Sequence, residues 1–166
     1  DSLTKFVGDG VVNFCVMSLI TLGGLGFIVM DDVLSKRNFK SLTVHSKVVI
    51  LASAALVITG TVFFRLIELN NPDTLANLSY ADQWLASMFQ AVTPRTAGFN
   101  TLPLEKVEDS SLFLMVILMI IGASPASTGG GIKTTTFAVI LMSAWAVLRG
   151  RNDIVIFERR ISKKAV

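Results

Sequence analysis

Three long apolar stretches divide the chain, and polar or charged residues bound each of them. Residues 11–30 and 48–64 contain no charged side chain, and residues 110–148 contain only Lys133. The first two approach the ~20 residues that a helix needs to cross about 30 Å of hydrocarbon, the second with its end extended by a snorkelling Arg65. The pattern therefore predicts membrane-spanning helices.

A shorter apolar stretch lies between the second and third long ones, in "SYADQWLASMFQAVTPRTAGFNTLPLEK". Ser79 and Asp82 have the spacing of a capping box, and Pro94 follows the last apolar residues. A helix over about 81–93 would measure roughly 20 Å, which is too short to cross the bilayer. We therefore predict a re-entrant segment, with a helix that enters the membrane and an extended strand, "TPRTAGFNT", that returns. A surface amphipathic helix is the alternative.

The third long stretch is too long for a single crossing, because a helix over residues 110–148 would measure about 58 Å. The cluster "GASPASTGGGIKTTT" at 122–136 interrupts it. Pro125 lacks a backbone donor, and each glycine costs a helix about 1 kcal/mol relative to alanine. Irregular backbone at membrane depth is tolerated only where protein buries it or where it lines a water-filled cavity. We therefore predict a broken helix whose loop lies against an aqueous path.

Composition agrees with a membrane protein, since 52% of the residues are hydrophobic, 16% are charged and the mean hydropathy is +0.64. Basic residues outnumber acidic ones in residues 31–47 and again after residue 148, whereas residues 65–109 are richer in acidic ones. The positive-inside rule places the two basic segments in the cytoplasm. The net charge of +3 is thus explained by topology, and no nucleic-acid partner is expected.

The single cysteine, the single histidine and the first residues of the chain bear on disulfides, metal sites and signal peptides. Cys15 and His45 are the only residues of their types, so we expect no disulfide framework and no metal site other than one for a transported ion. The chain begins with Asp1 and shows no signal peptide, and we expect it to be part of a longer protein.

The glycine-rich cluster has other interpretations. A phosphate-binding loop is disfavoured because Ile132 separates Gly131 from Lys133 and no soluble strand precedes the cluster. Tight packing of small residues at a kink, as we expect for "TLGGLGF" at 21–27, explains the glycines but not the serines, threonines and lysine.

An intramembrane serine protease is the alternative function. Ser124 would be its nucleophile, with His45 or Lys133 as the base. Pro125 follows the serine directly, and His45 lies at the predicted cytoplasmic edge, so this interpretation is the weaker one.

Together, "QAVTPRTAGFNT" and "GASPASTGGGIKTTT" resemble the Trk/Ktr/HKT superfamily of potassium transporters, most closely its bacterial Ktr branch. The resemblance covers essentially the whole chain and implies an all-α integral membrane protein. Four tandem repeats of outer helix, pore helix, filter and inner helix would surround one pore. Residues 44–166 would form one full repeat, the third, with outer helix about 44–69, pore helix about 81–93, filter about 95–100, broken inner helix about 110–148 and a cytoplasmic tail. Residues 1–43 would supply the preceding repeat's inner transmembrane helix, at about 8–32, and a cytoplasmic loop.

The resemblance also implies a function, which is channel-like potassium uptake across the cell membrane rather than enzymatic catalysis. Filter carbonyls would come from Thr96, Ala97, Gly98 and Phe99. An intramembrane gating loop would consist of Gly122, Ala123, Ser124, Pro125, Ala126, Ser127, Thr128, Gly129, Gly130, Gly131 and Lys133. Arg95 would point away from the pore axis, towards a carboxylate or solvent.

The implied ligands and partners follow from the same resemblance. K⁺ would be the transported ion, with Na⁺ as a second candidate and no organic cofactor on this chain. The partners would be membrane lipid, the remaining repeats of the same protein, a second copy in a homodimer, and a cytosolic nucleotide-binding regulatory ring of the Ktr type. The location would be the bacterial plasma membrane, crossed several times.

Overall fold

The computed structural model describes residues 2–149, 154–156 and 159–161, and these residues are mostly helical, as predicted. The helices are α1 (Gly10–Leu25), α2 (Phe27–Lys36), α3 (Val44–Glu68), α4 (Tyr80–Val92), α5 (Asp109–Ile120) and α6 (Thr134–Leu148). Single 3₁₀ turns lie at Thr4–Phe6, Phe39–Ser41 and Leu104–Lys106, and two short strands, β1 (Ile154–Ile156) and β2 (Arg159–Ile161), follow α6.

Helix α3 begins where its sequence supplies a cap, because the Thr43 hydroxyl accepts a hydrogen bond from the Ser46 N–H at 3.2 Å. With 25 residues it measures about 37 Å. Among the described residues it is the one helix that is long and apolar enough to cross a membrane by itself. Near its other end the Arg65 guanidinium lies 4.6 Å from the centre of the Trp84 ring and 5.0 Å from that of Tyr80, within the range of cation–π contacts.

The helix expected over residues 8–32 is broken within the small-residue segment 21–27, where a kink was expected. Helices α1 and α2 are separated at Gly26 and meet at an angle of 98°. Gly26 has a φ of +85°, which side-chain-bearing residues rarely adopt. A Cβ atom at this position would also lie 2.6 Å from the Pro125 carbonyl oxygen. The break is therefore imposed by backbone geometry and by the close approach of a distant segment.

Helix α4 is short and enters the protein interior with its C-terminal half. Its first turn has the predicted capping geometry, since the Ser79 hydroxyl accepts from the Asp82 N–H at 3.2 Å and donates to the Asp82 carboxylate at 2.7 Å. The 13 residues measure about 20 Å. Phe89 and Val92 are buried against Met17 of α1, so the helix ends deep in the fold.

Two further clusters of buried side chains hold α4 and the long helices together. One joins α3, α4, α5 and the connecting segments through Phe64, Leu75, Ala86, Leu102, Val107 and Met115. The other is smaller and joins α3 to α6 through Val48 and Ala138. Helix α3 is therefore common to both clusters, and the other helices are arranged around it.

The third long apolar stretch is broken, with α5 and α6 separated by residues 121–133. Beyond α6, β1 pairs antiparallel with β2, with Ile154 opposite Ile161. This strand pair departs from the all-α expectation, and the β-branched sequence Ile-Val-Ile explains the strand preference of β1. The rest of the predicted cytoplasmic tail, residues 150–153, 157–158 and 162–166, lies outside the described residues.

Candidate functional site

The segment after α4, which we name the return segment (residues 93–100), turns back immediately at the end of the helix. The Thr93 N–H donates to the Phe89 carbonyl at 2.9 Å, and the Ala97 N–H donates to the Thr93 carbonyl at 3.1 Å. The Thr93 hydroxyl donates across the turn to the Phe99 carbonyl. The two ends of the return segment are thus held together beside the C-terminus of α4.

The middle of the return segment has unusual backbone angles. Thr96 has a φ of +71° and Gly98 a φ of +76°; for a β-branched residue such as Thr96 this conformation is strained. Thr96, Gly98 and Phe99 are exposed in this part of the protein. Within residues 2–149, the carbonyls of Thr96, Ala97 and Gly98 accept no hydrogen bond. Of the four carbonyls predicted for the filter, only that of Phe99 already has a partner.

Arg95 is buried, with 5% of its surface exposed, and so does not reach solvent. Its Nη2 donates to the Ser53 hydroxyl of α3 at 2.9 Å, where a carboxylate was expected. Its Nε has no hydrogen-bond partner among the described residues. The sequence carries a signal for this partner, because Ser53 is a polar residue inside the apolar stretch 48–64, and it is buried, with 4% of its surface exposed.

The far end of the return segment is anchored by residues that the sequence analysis did not single out. The Asn100 side chain donates to the Leu102 carbonyl at 2.9 Å, and the Asn100 carbonyl accepts from the Leu3 N–H at 3.0 Å. The Ser2 hydroxyl accepts from the Asn100 N–H at 3.1 Å. The start of the chain therefore fixes the point where the return segment leaves the site.

The glycine-rich loop (residues 121–133) is closed at its base by backbone pairing. Ile121 and Ile132 form an isolated parallel bridge. The Ala123 N–H donates to the Gly130 carbonyl at 3.2 Å, and the Ala123 carbonyl accepts from the Thr134 N–H at 3.3 Å. A Cβ on Gly122 would lie only 1.8 Å from the Gly130 carbonyl oxygen, so the two sides approach as closely as glycine allows.

Polar side chains of the loop bind backbone groups of the loop itself or of α1. The Ser124 hydroxyl lies within hydrogen-bonding distance of the Gly24 carbonyl, at 2.9 Å, and of the Leu25 carbonyl, and shares its one hydrogen between them. The Ser127 hydroxyl donates to the Ser124 carbonyl at 2.6 Å, and the Lys133 ammonium donates to the Gly129 carbonyl at 2.8 Å. These polar groups, which the sequence suggested for an aqueous path, therefore hold the loop in place in this conformation.

The loop and the return segment meet directly. A Cβ on Gly129 would lie 2.8 Å from the Thr96 Oγ1 and 2.3 Å from the Ala123 Cβ. Gly129 is buried, whereas the neighbouring Gly130 is exposed. Two segments about thirty residues apart in sequence, each singled out by its motif, are thus brought into contact.

The geometry does not support a serine protease. The Ser124 hydroxyl is directed at two backbone carbonyls, and no hydrogen bond joins it to His45 or Lys133. Lys133, one of the two suggested bases, binds a carbonyl instead. A general base needs to be within hydrogen-bond reach of its nucleophile, and neither candidate is. The described residues also hold no cluster of three or more His, Cys, Asp and Glu side chains suited to a metal.

Comparison with known proteins gives a consistent result. The family described as "TrkH: Cation transport protein" matches residues 1–166. The chain is 43% identical over 164 residues to "Ktr system potassium uptake protein B" of Vibrio alginolyticus, covering 98% of this chain and 36% of that protein. It is 44% identical over 161 residues to the protein of the same name from Bacillus subtilis strain 168, covering 97% and 36%.

Two further similarities extend the comparison. "Potassium/sodium uptake protein NtpJ" of Enterococcus hirae is 38% identical over 166 residues, covering 100% of this chain and 37% of that protein. The crystal structure of the potassium transporter TrkH from Vibrio parahaemolyticus superposes with a TM-score of 0.70 at 16% identity, over 93% of this chain and 34% of that one, which supports the fold. The chain thus spans a little over a third of the relatives it matches. It belongs to the TrkH family of cation transport proteins.

Proposed function

We propose that the full-length protein takes up K⁺ across the bacterial plasma membrane through a channel-like pore that crosses the membrane several times. Backbone carbonyls of the return segment select the ion, and the glycine-rich loop gates its path. The observation that carries the proposal is the contact between Gly129 and Thr96, which places the loop directly against the segment with free carbonyls. Two relatives whose names state potassium uptake support the choice of ion.

Backbone carbonyls suit a monovalent hard cation, because their oxygen dipoles replace its hydration shell. Helix α4 ends at Val92, immediately before the return segment, so the negative end of its dipole adds to the attraction. Thr96, Ala97 and Gly98 supply carbonyls that are free within residues 2–149, and Phe99 supplies one that also accepts from Thr93. A carbonyl oxygen has two lone pairs, so the Phe99 carbonyl can bind the hydroxyl and an ion together.

The chain supplies only part of the pore under this proposal. Residues 44–166 form the third of four repeats, and residues 1–43 supply the broken inner helix of the second and the loop that follows it. The other repeats belong to the remaining length of the protein, since related proteins are almost three times as long as the matched region. One quarter of the filter thus comes from residues 95–100.

The partners of the full-length protein are proposed on a similar basis. Lipid surrounds the apolar helix faces, which expose large side chains such as Phe14, Leu19 and Phe113. A second copy forms a homodimer, and a cytosolic nucleotide-binding ring of the KtrA type binds the basic segments 33–47 and 149–164. The name "Ktr system" of two relatives supports a multi-component system in those proteins. Na⁺ is a further candidate ion because one relative is named for potassium and sodium uptake.

The filter is tested by replacing Gly98 with serine in the full-length protein. A Cβ at Gly98 meets nothing within 4 Å, so the substitution strains a φ of +76° without causing a clash. We expect the ratio of K⁺ to Na⁺ uptake to fall by about tenfold, because a backbone strain of about 1–3 kcal/mol displaces the carbonyls. Gly10→Ser is the matched control, since Gly10 also has open space but no positive φ. An unchanged ratio in Gly98→Ser would show that the filter lies elsewhere.

The gate is tested by deleting residues 122–131. Removal of the segment that lies against Thr96 should raise K⁺ flux per molecule in proteoliposomes, with the K⁺ to Na⁺ ratio retained. Flux should be normalised to the amount of folded protein recovered from the same vesicles. Equal or lower flux in folded protein would contradict a gating role.

A further inference from the structure

The glycine-rich loop fills the break between α1 and α2. A sharp bend leaves the last carbonyls of α1 and the first N–H groups of α2 without helical partners. The loop supplies both kinds of partner. The Ser124 N–H donates to the Gly24 carbonyl at 3.1 Å, and the Phe27 N–H donates to the Ala126 carbonyl at 3.1 Å. The Ser124 hydroxyl adds its bonds to the Gly24 and Leu25 carbonyls.

The surfaces of the break and the loop also fit closely. A Cβ on Gly26 would lie 2.6 Å from the Pro125 carbonyl oxygen and 3.0 Å from the Ser124 Oγ. A Cβ on Gly23 would lie 3.4 Å from the Thr128 Oγ1. Ser124 itself has 0% of its surface exposed. The break is therefore a docking site shaped for this one segment of the chain.

The loop also lies against the return segment, through Gly129 and Thr96. Hence the loop contacts both the break and the proposed filter. Displacing the loop from the filter requires its contacts with the break to be released or the break to move with it. Since Phe27 is the first residue of α2, a movement of α2 is transmitted directly to Ala126.

We propose that Ser124 is a latch, a positioning residue that holds the loop below the filter by docking it on the α1–α2 break. This inference rests on the proposed gating function. Release of the latch leaves the Leu25 carbonyl without its hydroxyl partner, which makes undocking cooperative with rearrangement of the bend. The latch thereby makes the bend between α1 and α2 the element through which motion elsewhere in the protein opens the gate.

The first test measures K⁺ flux of full-length Ser124→Ala protein in proteoliposomes. Loss of the hydroxyl's hydrogen bonds should increase flux about fivefold by raising the undocked population. The K⁺ to Na⁺ ratio should stay at the wild-type value, which a general loss of structure would not preserve. Ser143→Ala is the matched control, because the Ser143 hydroxyl donates at 2.7 Å to Val139 within its own helix. If the deletion of residues 122–131 raises K⁺ flux and Ser124→Ala does not, the loop acts as a gate but Ser124 does not hold it in place.

The second test measures docking without flux. Cysteines at positions 23 and 128, introduced as Gly23→Cys and Thr128→Cys in a Cys15→Ser background, should form a disulfide because the two positions are in contact. Adding Ser124→Ala should slow this cross-link about fivefold, and adding Ser143→Ala should not. Equal rates in both would overturn the latch. A slowed cross-link together with unchanged flux in the loop deletion would support the latch as a docking contact and contradict the proposed gate.

Discussion

The return segment and the glycine-rich loop are both irregular chain at the C-terminal end of an apolar helix, yet they use their polar groups in opposite ways. The return segment is fixed at its ends, by Thr93 on one side and Asn100 on the other, and leaves three carbonyls between them without hydrogen bonds within residues 2–149. The loop binds its polar groups to its own backbone and to α1. Free carbonyls held in a fixed frame suit ion selection, whereas releasable hydrogen bonds suit a moving part.

The comparison predicts two separable kinds of variant. Changes in the frame of the return segment should alter which ion passes, and changes in the loop should alter how fast ions pass. A variant that altered both to the same extent would show that the two segments act as one unit. The direct contact between Thr96 and Gly129 is the place where such coupling would arise.

The largest effect is expected for Gly122→Ala. The added Cβ would lie 1.8 Å from the Gly130 carbonyl oxygen and 2.8 Å from the Gly131 Cα, so the base of the loop must open. We expect K⁺ flux to rise more than tenfold with the ion ratio unchanged, because overlap of this size costs more than the loop's hydrogen bonds provide. Gly130→Ala is the matched variant, since its Cβ would meet nothing within 4 Å, and its flux should change much less. Equal K⁺ flux in the two variants would show that the Cβ added at Gly122 does not open the gate.

A smaller effect is expected for Ser53→Ala, which acts on the frame of the return segment. It removes the hydroxyl that accepts from Arg95 and leaves a buried guanidinium group without that partner. Such a loss costs about 1–3 kcal/mol, so thermal unfolding in detergent should occur at lower temperature and the K⁺ to Na⁺ ratio should fall by up to about tenfold. Thr59→Ala serves as control, because the Thr59 hydroxyl is bonded at 2.7 Å to Ala55 in its own helix. If Ser53→Ala is as stable as the wild type and its K⁺ to Na⁺ ratio is unchanged, the hydrogen bond between Ser53 and Arg95 does not contribute to ion selection.

A third effect, again on ion selection, is expected for Thr93→Val. The substitution keeps the shape of the side chain and removes the donor to the Phe99 carbonyl. We expect the K⁺ to Na⁺ ratio to fall about threefold, in keeping with one neutral hydrogen bond. Thr101→Val is the matched control, since the Thr101 hydroxyl is buried and has no hydrogen-bond partner among the described residues. If both variants lowered the ratio equally, the Thr93 hydrogen bond would not be the cause.

Much of the fold followed from local signals in the sequence. Apolar length predicted α3, and the cap at Ser79 lies where the sequence places it. The interruption between α5 and α6 also follows from the glycine and proline content of residues 121–133. These signals act over a few residues, so they can be evaluated without knowing which segments meet in the folded protein.

The departures arose where distant segments decide the local structure. The small residues of 21–27 indicate a kink but not a bend of 98°, because the size of the bend depends on partners that Ser124 and Ala126 supply from about 100 residues away. Arg95 was expected to meet a carboxylate or solvent, and its actual partner lies 42 residues earlier on α3. The small residues of 21–27 and the polar Ser53 inside an apolar stretch were the available signals, but the partner is set by tertiary packing in each case.

The smallest effect is expected for Lys133→Ala, on the loop side of the comparison. The Lys133 ammonium donates to the Gly129 carbonyl at 2.8 Å, and Gly129 is the residue that lies against Thr96. Because Lys133 is only partly buried, water can replace much of this bond when the side chain is removed. We therefore expect K⁺ flux to rise about twofold with no change in the ion ratio, and Lys133→Arg to remain close to the wild type. Unchanged flux in Lys133→Ala would mean that the hydrogen bonds to α1 hold the loop without help from the lysine. Ser124 would then be the main residue that keeps the proposed gate closed.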